Sequence, residues 1–206
     1  MSSPSRMGAW CKPRPHPQKL PDTGLWSNQA EFATLGRMDV RIERIAFEDK
    51  EIGRRFLQLY LHDLSEFAGD TANADGTFAY RYFDHYWAEH RDRARHPFWV
   101  LADGRRVGFA LVRERTNEVG REFTEIAEFF VLRGLRRTGV GREAALMLFG
   151  MFSGDWHVQE DVRNVGAIAF WRGVICEFTG DNYSDRTMFV ATFQDFTSNG
   201  PPTRGS

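Results

Sequence analysis

The chain's 206 residues suffice for one domain with tails, and 42% hydrophobic against 27% charged residues is the balance of an ordinary globular protein. A net charge of −1 gives no electrostatic reason to expect nucleic-acid or membrane-surface binding. Cys11 and Cys176 are too few for a disulfide framework, so a reducing cytoplasm is the expected compartment. No apolar run approaches the roughly 18 residues of a membrane span, and the first residues lack the apolar stretch of a secretory signal.

Pro4, Pro13, Pro15, Pro17 and Pro21 crowd the start of the chain, Pro201 and Pro202 its end, and Pro97 alone lies between. Residues 1–37 are also basic and carry no apolar period. They read as a disordered extension, with a folded domain over 38–195 and a flexible tail over 196–206. Met38 stands directly before the first strand and is a candidate start codon.

The periodicities predict the following elements. Asp39–Ile45 alternates polar and apolar residues and reads as a strand. Glu51–Phe67 places Ile52, Phe56, Leu59, Tyr60 and Leu64 at helical spacing. Phe78–Arg93 reads as a second, aromatic-rich helix, stopped before Pro97. Phe98–Ala102 and Val107–Arg113 read as a hairpin turning at Asp103-Gly104. Glu122–Leu132 is a longer strand, Gly139–Phe152 a helix, Trp156–Gln159 a strand and Gly166–Arg172 a short helix. Val174–Phe178 and Met188–Phe193 read as closing strands. The order β-α-α-β-β-β-α-β-α-β-β implies an α/β class with a mixed (α+β) sheet, antiparallel first and holding a parallel βαβ unit later.

The chemistry concentrates in Leu135-Arg-Arg-Thr-Gly-Val-Gly-Arg-Glu-Ala-Ala145. It is not a P-loop, because Val140-Gly141 stand where Lys and Ser/Thr are needed. Gly139-Val-Gly141-Arg-Glu-Ala144 fits the G-x-G-x-x-A dinucleotide fingerprint, with Glu160 and Asp161 about 20 residues on, where a ribose-binding acid belongs. Against that, Arg133–Thr138 separates the glycines from their strand. Arg136-Arg137-Thr138-Gly139-Val140-Gly141 also fits R/Q-x-x-G-x-G/A. There a helix N-terminus offers free N–H groups, glycines admit a pyrophosphate to the backbone, and Arg136, Arg137 and Arg142 add charge.

Downstream, Asn164-Val-Gly-Ala167-Ile-Ala-Phe170-Trp171-Arg-Gly173 is similar to N-x-x-A-x-x-F-Y-x-x-x-G-F. With the loop, and the strand ending Phe129-Phe-Val-Leu132, the sequence resembles the GNAT superfamily of acetyl-CoA-dependent N-acetyltransferases. The likeness spans roughly residues 39–193 and is strongest over 98–178. It implies a GNAT-like fold with splayed central strands and a coenzyme A arm bound along the strand near Phe130 and Val131. Pyrophosphate would lie on Arg136, Arg137, Thr138, Gly139, Val140, Gly141 and Arg142, with Asn164 and Phe170 beside the cofactor. Asn164 suits a helix cap equally well.

The reaction so implied is attack of an amine on a thioester, which needs a base. Glu125 is the first choice and Glu128 the second; an ideal strand puts residues three apart on opposite faces, and a bulge changes that. Many relatives carry a tyrosine acid where this chain has Trp171, and an indole does not ionise usefully. Asp63, Glu66, Asp70 and Asp75, in a stretch without Lys or Arg, suggest an acidic rim for a cationic amine, on a small molecule or a peptide. Tyr80, Tyr82, Phe83, Tyr86 and Trp87 fit core or ligand stacking. His157 and Gln159 share a strand face bordering the acetyl site, while Cys176 reads as a small core residue on a late strand. His85 and His90 have the wrong spacing for a metal pair, and no metal site is expected. Homodimers are common in the family. A non-catalytic acyl-CoA sensor and a Rossmann-type NAD(P) oxidoreductase remain the alternatives.

Overall fold

A computed structural model describes residues 38–87 and 94–201. Residues 1–37, 88–93 (with His90) and 202–206 lie outside the described part. Among the described residues seven strands form one sheet in the order β1-β2-β3-β4-β5-β7-β6. They are β1 (Val40–Arg44), β2 (Arg95–Ala102), β3 (Arg105–Thr116), β4 (Glu122–Val131), β5 (Ser153–Asp161), β6 (Ser184–Met188) and β7 (Ala191–Asn199). Helices α1 (Lys50–Ala68), α2 (Val140–Met151) and α3 (Val165–Thr179) cover the sheet. Among these described strands the β4–β5 pair alone is parallel. This is the mixed sheet with a central βαβ unit expected from the sequence.

Strand alternation sends apolar residues to both faces. On one face Trp99, Leu101, Phe109, Leu111 and Phe130 pack against Leu57 and its neighbours on α1. On the other, Phe98, Ala110, Val112, Ile126, Trp156 and Val158 meet Leu148 and Phe149 of α2 and Trp171, Val174 and Ile175 of α3. The β2–β3 hairpin turns at Asp103 and Gly104, both with positive φ (49° and 72°), as a tight two-residue hairpin turn requires. Gly108 lets β3 and β4 close: a Cβ there would sit 2.0 Å from the Phe130 carbonyl oxygen.

Three expectations need correction. The helix over Phe78–Arg93 is absent from its described part, where only a 3-10 turn, Phe83–Trp87, forms. Gln58 accounts for this: its side chain accepts from Phe78 N–H at 2.6 Å and donates to Phe78 C=O at 3.1 Å, taking both backbone groups that a helix there would use. Val174–Phe178 is not a strand but the second half of α3, which runs on until Gly180 caps it at φ 64°. Its β-branched residues, which favour strands in isolation, lie at helical spacing with Trp171 and are buried against the sheet, and tertiary packing wins. Cys176 is therefore a buried helical residue. Finally, Met188–Phe193 straddles the β6–β7 turn, where Phe189 takes φ 52°. Strand β7 continues to Asn199, and Phe196 and Ser198, assigned by sequence to a tail, are buried in it. No helix among the described residues is long and apolar enough to cross a membrane.

Candidate functional site

The β4–β5 seam is short. Only Thr124, Glu125 and Ile126 pair with Trp156, His157 and Val158. Beyond them the strands part, and a cavity of about 280 Å³ opens between them. Tyr60 and Leu64 of α1, Glu128 and Phe129 of β4, Gln159 and Glu160 of β5, and Asn164 and Trp171 of α3 contribute to its walls.

The edge of β4 that faces the gap can be read from one bond. Leu132 N–H donates to Val107 C=O at 2.9 Å, so Leu132 turns its backbone towards β3. By the two-residue period Phe130 does the same, while Phe129 and Val131 present their N–H and C=O groups to the gap. Arg136 Nε reaches the Val131 carbonyl at 3.4 Å on that open side. The exposed donors and acceptors thus belong to Phe129 and Val131. Phe130, chosen from the sequence, points its ring into the α1-side core beside Phe109 and Tyr60. Period two counted back from Val131 would have found Phe129.

At the mouth of the gap the glycine loop leads into α2. After a 3-10 turn over Arg133–Leu135, Arg137 takes φ 67° and Gly139 φ 97° as the N-cap. Thr138 Oγ1 donates to Leu135 C=O at 2.7 Å and is used up inside the loop. Val140 is buried and anchors the helix to the sheet. Gly141 packs against Phe170 and Val131, and Phe170 stacks on Phe129 at 5.9 Å. The first N–H groups of α2 have no partner within the helix and carry the positive end of its dipole. The arginines are already engaged. Arg133 Nε and Arg136 Nη2 both donate to Asp63 of α1, and Arg142 Nε donates to Glu177 of α3 at 2.6 Å. Arg137 has no ion pair among the described residues. Asp63 and Glu66, read from the sequence as an acceptor rim, instead face the loop arginines. Asp75 serves a turn through Thr77, leaving Asp70 exposed.

The two glutamates of β4 lie on one face because the strand bulges. Leu111 pairs with Glu128 and Val112 with Ile126, so Ala127 is the extra residue. Both carboxylates therefore face α1, yet their surroundings differ. Glu125, 6% exposed, accepts from Arg113 Nε at 2.7 Å and lies near Arg115 Nη1 at 3.5 Å. It is locked in an ion-pair network and does not reach the cavity wall. Glu128 does, and it accepts from the Tyr60 hydroxyl at 2.5 Å and the Tyr80 hydroxyl at 2.8 Å. Burial, with a smaller push from Glu125, raises the Glu128 carboxyl above its ordinary range; the two phenol bonds and Arg113 oppose the rise. The phenols of Tyr60 and Tyr80 are themselves driven well up by burial and by Glu128, so both remain protonated donors. No sequence spacing brings Tyr60 and Tyr80 to Glu128.

On α3, Asn164 Oδ1 accepts from Ala167 N–H at 3.1 Å, so its capping role is real, and it also borders the cavity. Trp171, 5% exposed, packs edge-on to Phe129 at 5.1 Å. Gln159 borders the cavity, whereas His157 is held by Asp195 at 2.7 Å. Of the run of aromatics, Phe83 and Tyr86 are buried, Trp87 donates to Ile45 C=O, and Tyr82 and His85 lie at the surface. Among the described residues no group of three His, Cys, Asp or Glu could hold a metal.

The sheet opens at a parallel seam, with unpaired backbone groups of β4 on one lip and an arginine-rich helix N-terminus at its mouth, which is the arrangement that the resemblance to the GNAT acyltransferases implies. The profile of the Acetyltransferase (GNAT) family matches residues 54–174, and the chain belongs to that family. The fold is similar to that of an acetyltransferase from Thermus thermophilus (TM-score 0.57, 11% identity, 78% of this chain and 98% of that one). It is also similar to aminoglycoside acetyltransferase AAC(6′)-Ib in complex with coenzyme A (0.54, 11%, 77% and 95%). A third similar fold is a putative GNAT acetyltransferase from Desulfovibrio desulfuricans (0.52, 11%, 77% and 99%). No curated protein sequence matches significantly. Family membership overturns the dinucleotide reading of the glycine loop. Of the two acids that reading placed on a ribose, Glu160 is buried in β5 and Asp161 is bonded to Arg163.

Proposed function

We propose that the protein transfers an acetyl group from acetyl-CoA to a primary amine of a small molecule or peptide, with Glu128 as the general base. The observation that carries this reading is the placement of Glu128: a carboxylate raised by burial, in the wall of the gap, held by two phenols. An alkylammonium with a pKa of about 10.4 must give up roughly 4.6 kcal/mol to be neutral at pH 7, so a base is needed. A carboxylate lifted towards the working pH is a better base than an ordinary one. Glu125, shared between two guanidinium groups, is the weaker candidate and serves to fix Arg113.

The residues present suit the donor. When bound, acetyl-CoA supplies a thioester, an acyl carbon open to attack. The N–H and C=O groups of Phe129 and the N–H of Val131, whose carbonyl accepts from Arg136 Nε at 3.4 Å, suit an amide-bearing chain lying in the gap. The N–H groups heading α2, with Arg136, Arg137 and Arg142, suit a pyrophosphate. Gly139 supplies the backbone turn there, at φ 97°, and Phe170 packs beside Gly141 at the helix start. Tyr60 and Tyr80 orient the base, and α1 shields it from bulk water.

Thiol release from acetyl-CoA against a panel of primary amines tests the reading. Glu128→Gln should lower kcat by about 10²–10⁴-fold with little change in the KM for acetyl-CoA. Full kcat/KM in Glu128→Gln across pH 6–9 would remove Glu128 from the reaction.

A further inference from the structure

We infer that Glu160 is the acid of this site, giving its proton to the coenzyme sulfur as the carbon–sulfur bond breaks. The inference rests on the proposed acetyl transfer and deepens it. A departing thiolate with a pKa of about 8.5 is improved as a leaving group by a proton supplied at the moment of cleavage. The cavity offers few sources. Asp161 is held down to about 2 by its bonds from Arg163 and is ionised. The Tyr60 proton is committed to Glu128. Trp171, an indole, does not release a proton usefully. Glu160 is different. It is 7% exposed, shares the α3-facing side of β5 with Trp156 and Val158, and lines the gap beside Trp171 and Asn164.

Its surroundings keep it protonated. Burial is the main cause that lifts its carboxyl to about 8, helped by Asp185 of β6 and opposed by Gln194 of β7 and Arg172 of α3. Arg172 cannot compensate fully, because its charge is paired with Asp185, whose Oδ2 lies 2.7 Å from Arg172 Nε without hydrogen-bond geometry. With its amide nitrogen turned inward, Gln194, fully buried, donates to both Glu160 oxygens at 3.0 and 3.1 Å. On the opposite wall the titratable group is Glu128, itself tied to two tyrosines. The gap thus separates a base on β4 from a protonated acid on β5.

The proton balance closes. Glu128 takes one proton from the ammonium, and the amine nitrogen bonds to the acyl carbon. The electrons of the carbon–sulfur bond go to sulfur, which takes the Glu160 proton. The nitrogen loses a second proton, equivalent to the one that restores Glu160 through solvent, and Glu128 releases its own. One proton appears in solution for each amide and thiol formed.

Glu160→Gln should lower kcat with acetyl-CoA by about 10²-fold, leave both KM values within twofold, and abolish the alkaline fall in kcat. Gln194→Met, which removes the bond favouring the ionised form, should move that fall to higher pH while keeping turnover. Unchanged kcat and pH profile in Glu160→Gln, or a loss confined to KM, would overturn the assignment. A second readout does not need turnover. The ¹³C signal of the Glu160 carboxyl should report a protonated group at pH 7 and should respond to coenzyme A but not to desulfo-coenzyme A. Titration in the ordinary carboxylate range, or equal response to both ligands, refutes the role of Glu160. Failure of every amine to release thiol from the wild-type protein refutes the proposed transfer instead.

Discussion

A buried acid that is neutral at pH 7 should leave a signature in folding as well as in catalysis. Glu160 has a carboxyl raised from 4.5 to about 8, chiefly by burial. At about 1.4 kcal/mol for each pH unit, ionising it in the folded state costs up to about 5 kcal/mol, an upper limit because the interior relaxes. The folded chain binds more protons at this site than the unfolded chain between those two values. Stability from this group is therefore fully present below pH 4.5, falls as pH rises towards 8, and stays low above it. Glu160→Gln removes the ionisation while keeping a group that can bond to Gln194. Urea unfolding of both proteins at intervals from pH 5 to 9 measures the difference. The variant should gain on the wild type from pH 5 to about 8 and level off above it, by several kcal/mol at the top. Parallel stability curves, with a constant offset between the two proteins, would show that Glu160 ionises as an ordinary surface carboxylate and refute the reasoning.

Three further outcomes follow from the same contacts. Tyr60→Phe removes a donor that favours the ionised Glu128, so the rising limb of kcat/KM should move up by about one pH unit; a limb that stays put or moves down contradicts the base assignment. Asp63→Asn releases Arg133 and Arg136, and coenzyme A should bind roughly 2–5-fold tighter at low salt, a gain that fades at high salt; isothermal titration at two ionic strengths decides it. Gly108→Ala places a Cβ against the Phe130 carbonyl and should destabilise the fold by about 3 kcal/mol or more, seen as a fall in the denaturant midpoint.

The parts of the site carried by local sequence were legible, and those made by long-range packing were not. The loop Arg136–Arg142, the capping Asn164 and the Asp103-Gly104 turn are short-range patterns, and each lies where its pattern implies. The pairing of Asp63 with Arg133 and Arg136 spans about 70 positions, so the acidic stretch of α1 was read as facing a substrate. The bulge at Ala127 reverses the side on which Glu128 lies and has no mark in the sequence, so the choice between two glutamates could not be made there. Val174–Phe178 misled for a related reason: β-branched residues buried at helical spacing look like a strand until the length of α3 is known.

The short β4–β5 seam has a mechanical consequence. Strands β1–β4 and strands β5–β7 form two half-sheets, stitched to each other by the pairing of only three residues on each side. The first half holds Glu128 and the second holds Glu160, and between the strands themselves only this seam joins them, α2 and α3 packing across both halves. A ligand that bonds to the open lip of β4 becomes an additional strand across that seam. Coenzyme A lying there would act as a splint, joining the half that carries Glu128 to the half that carries Glu160.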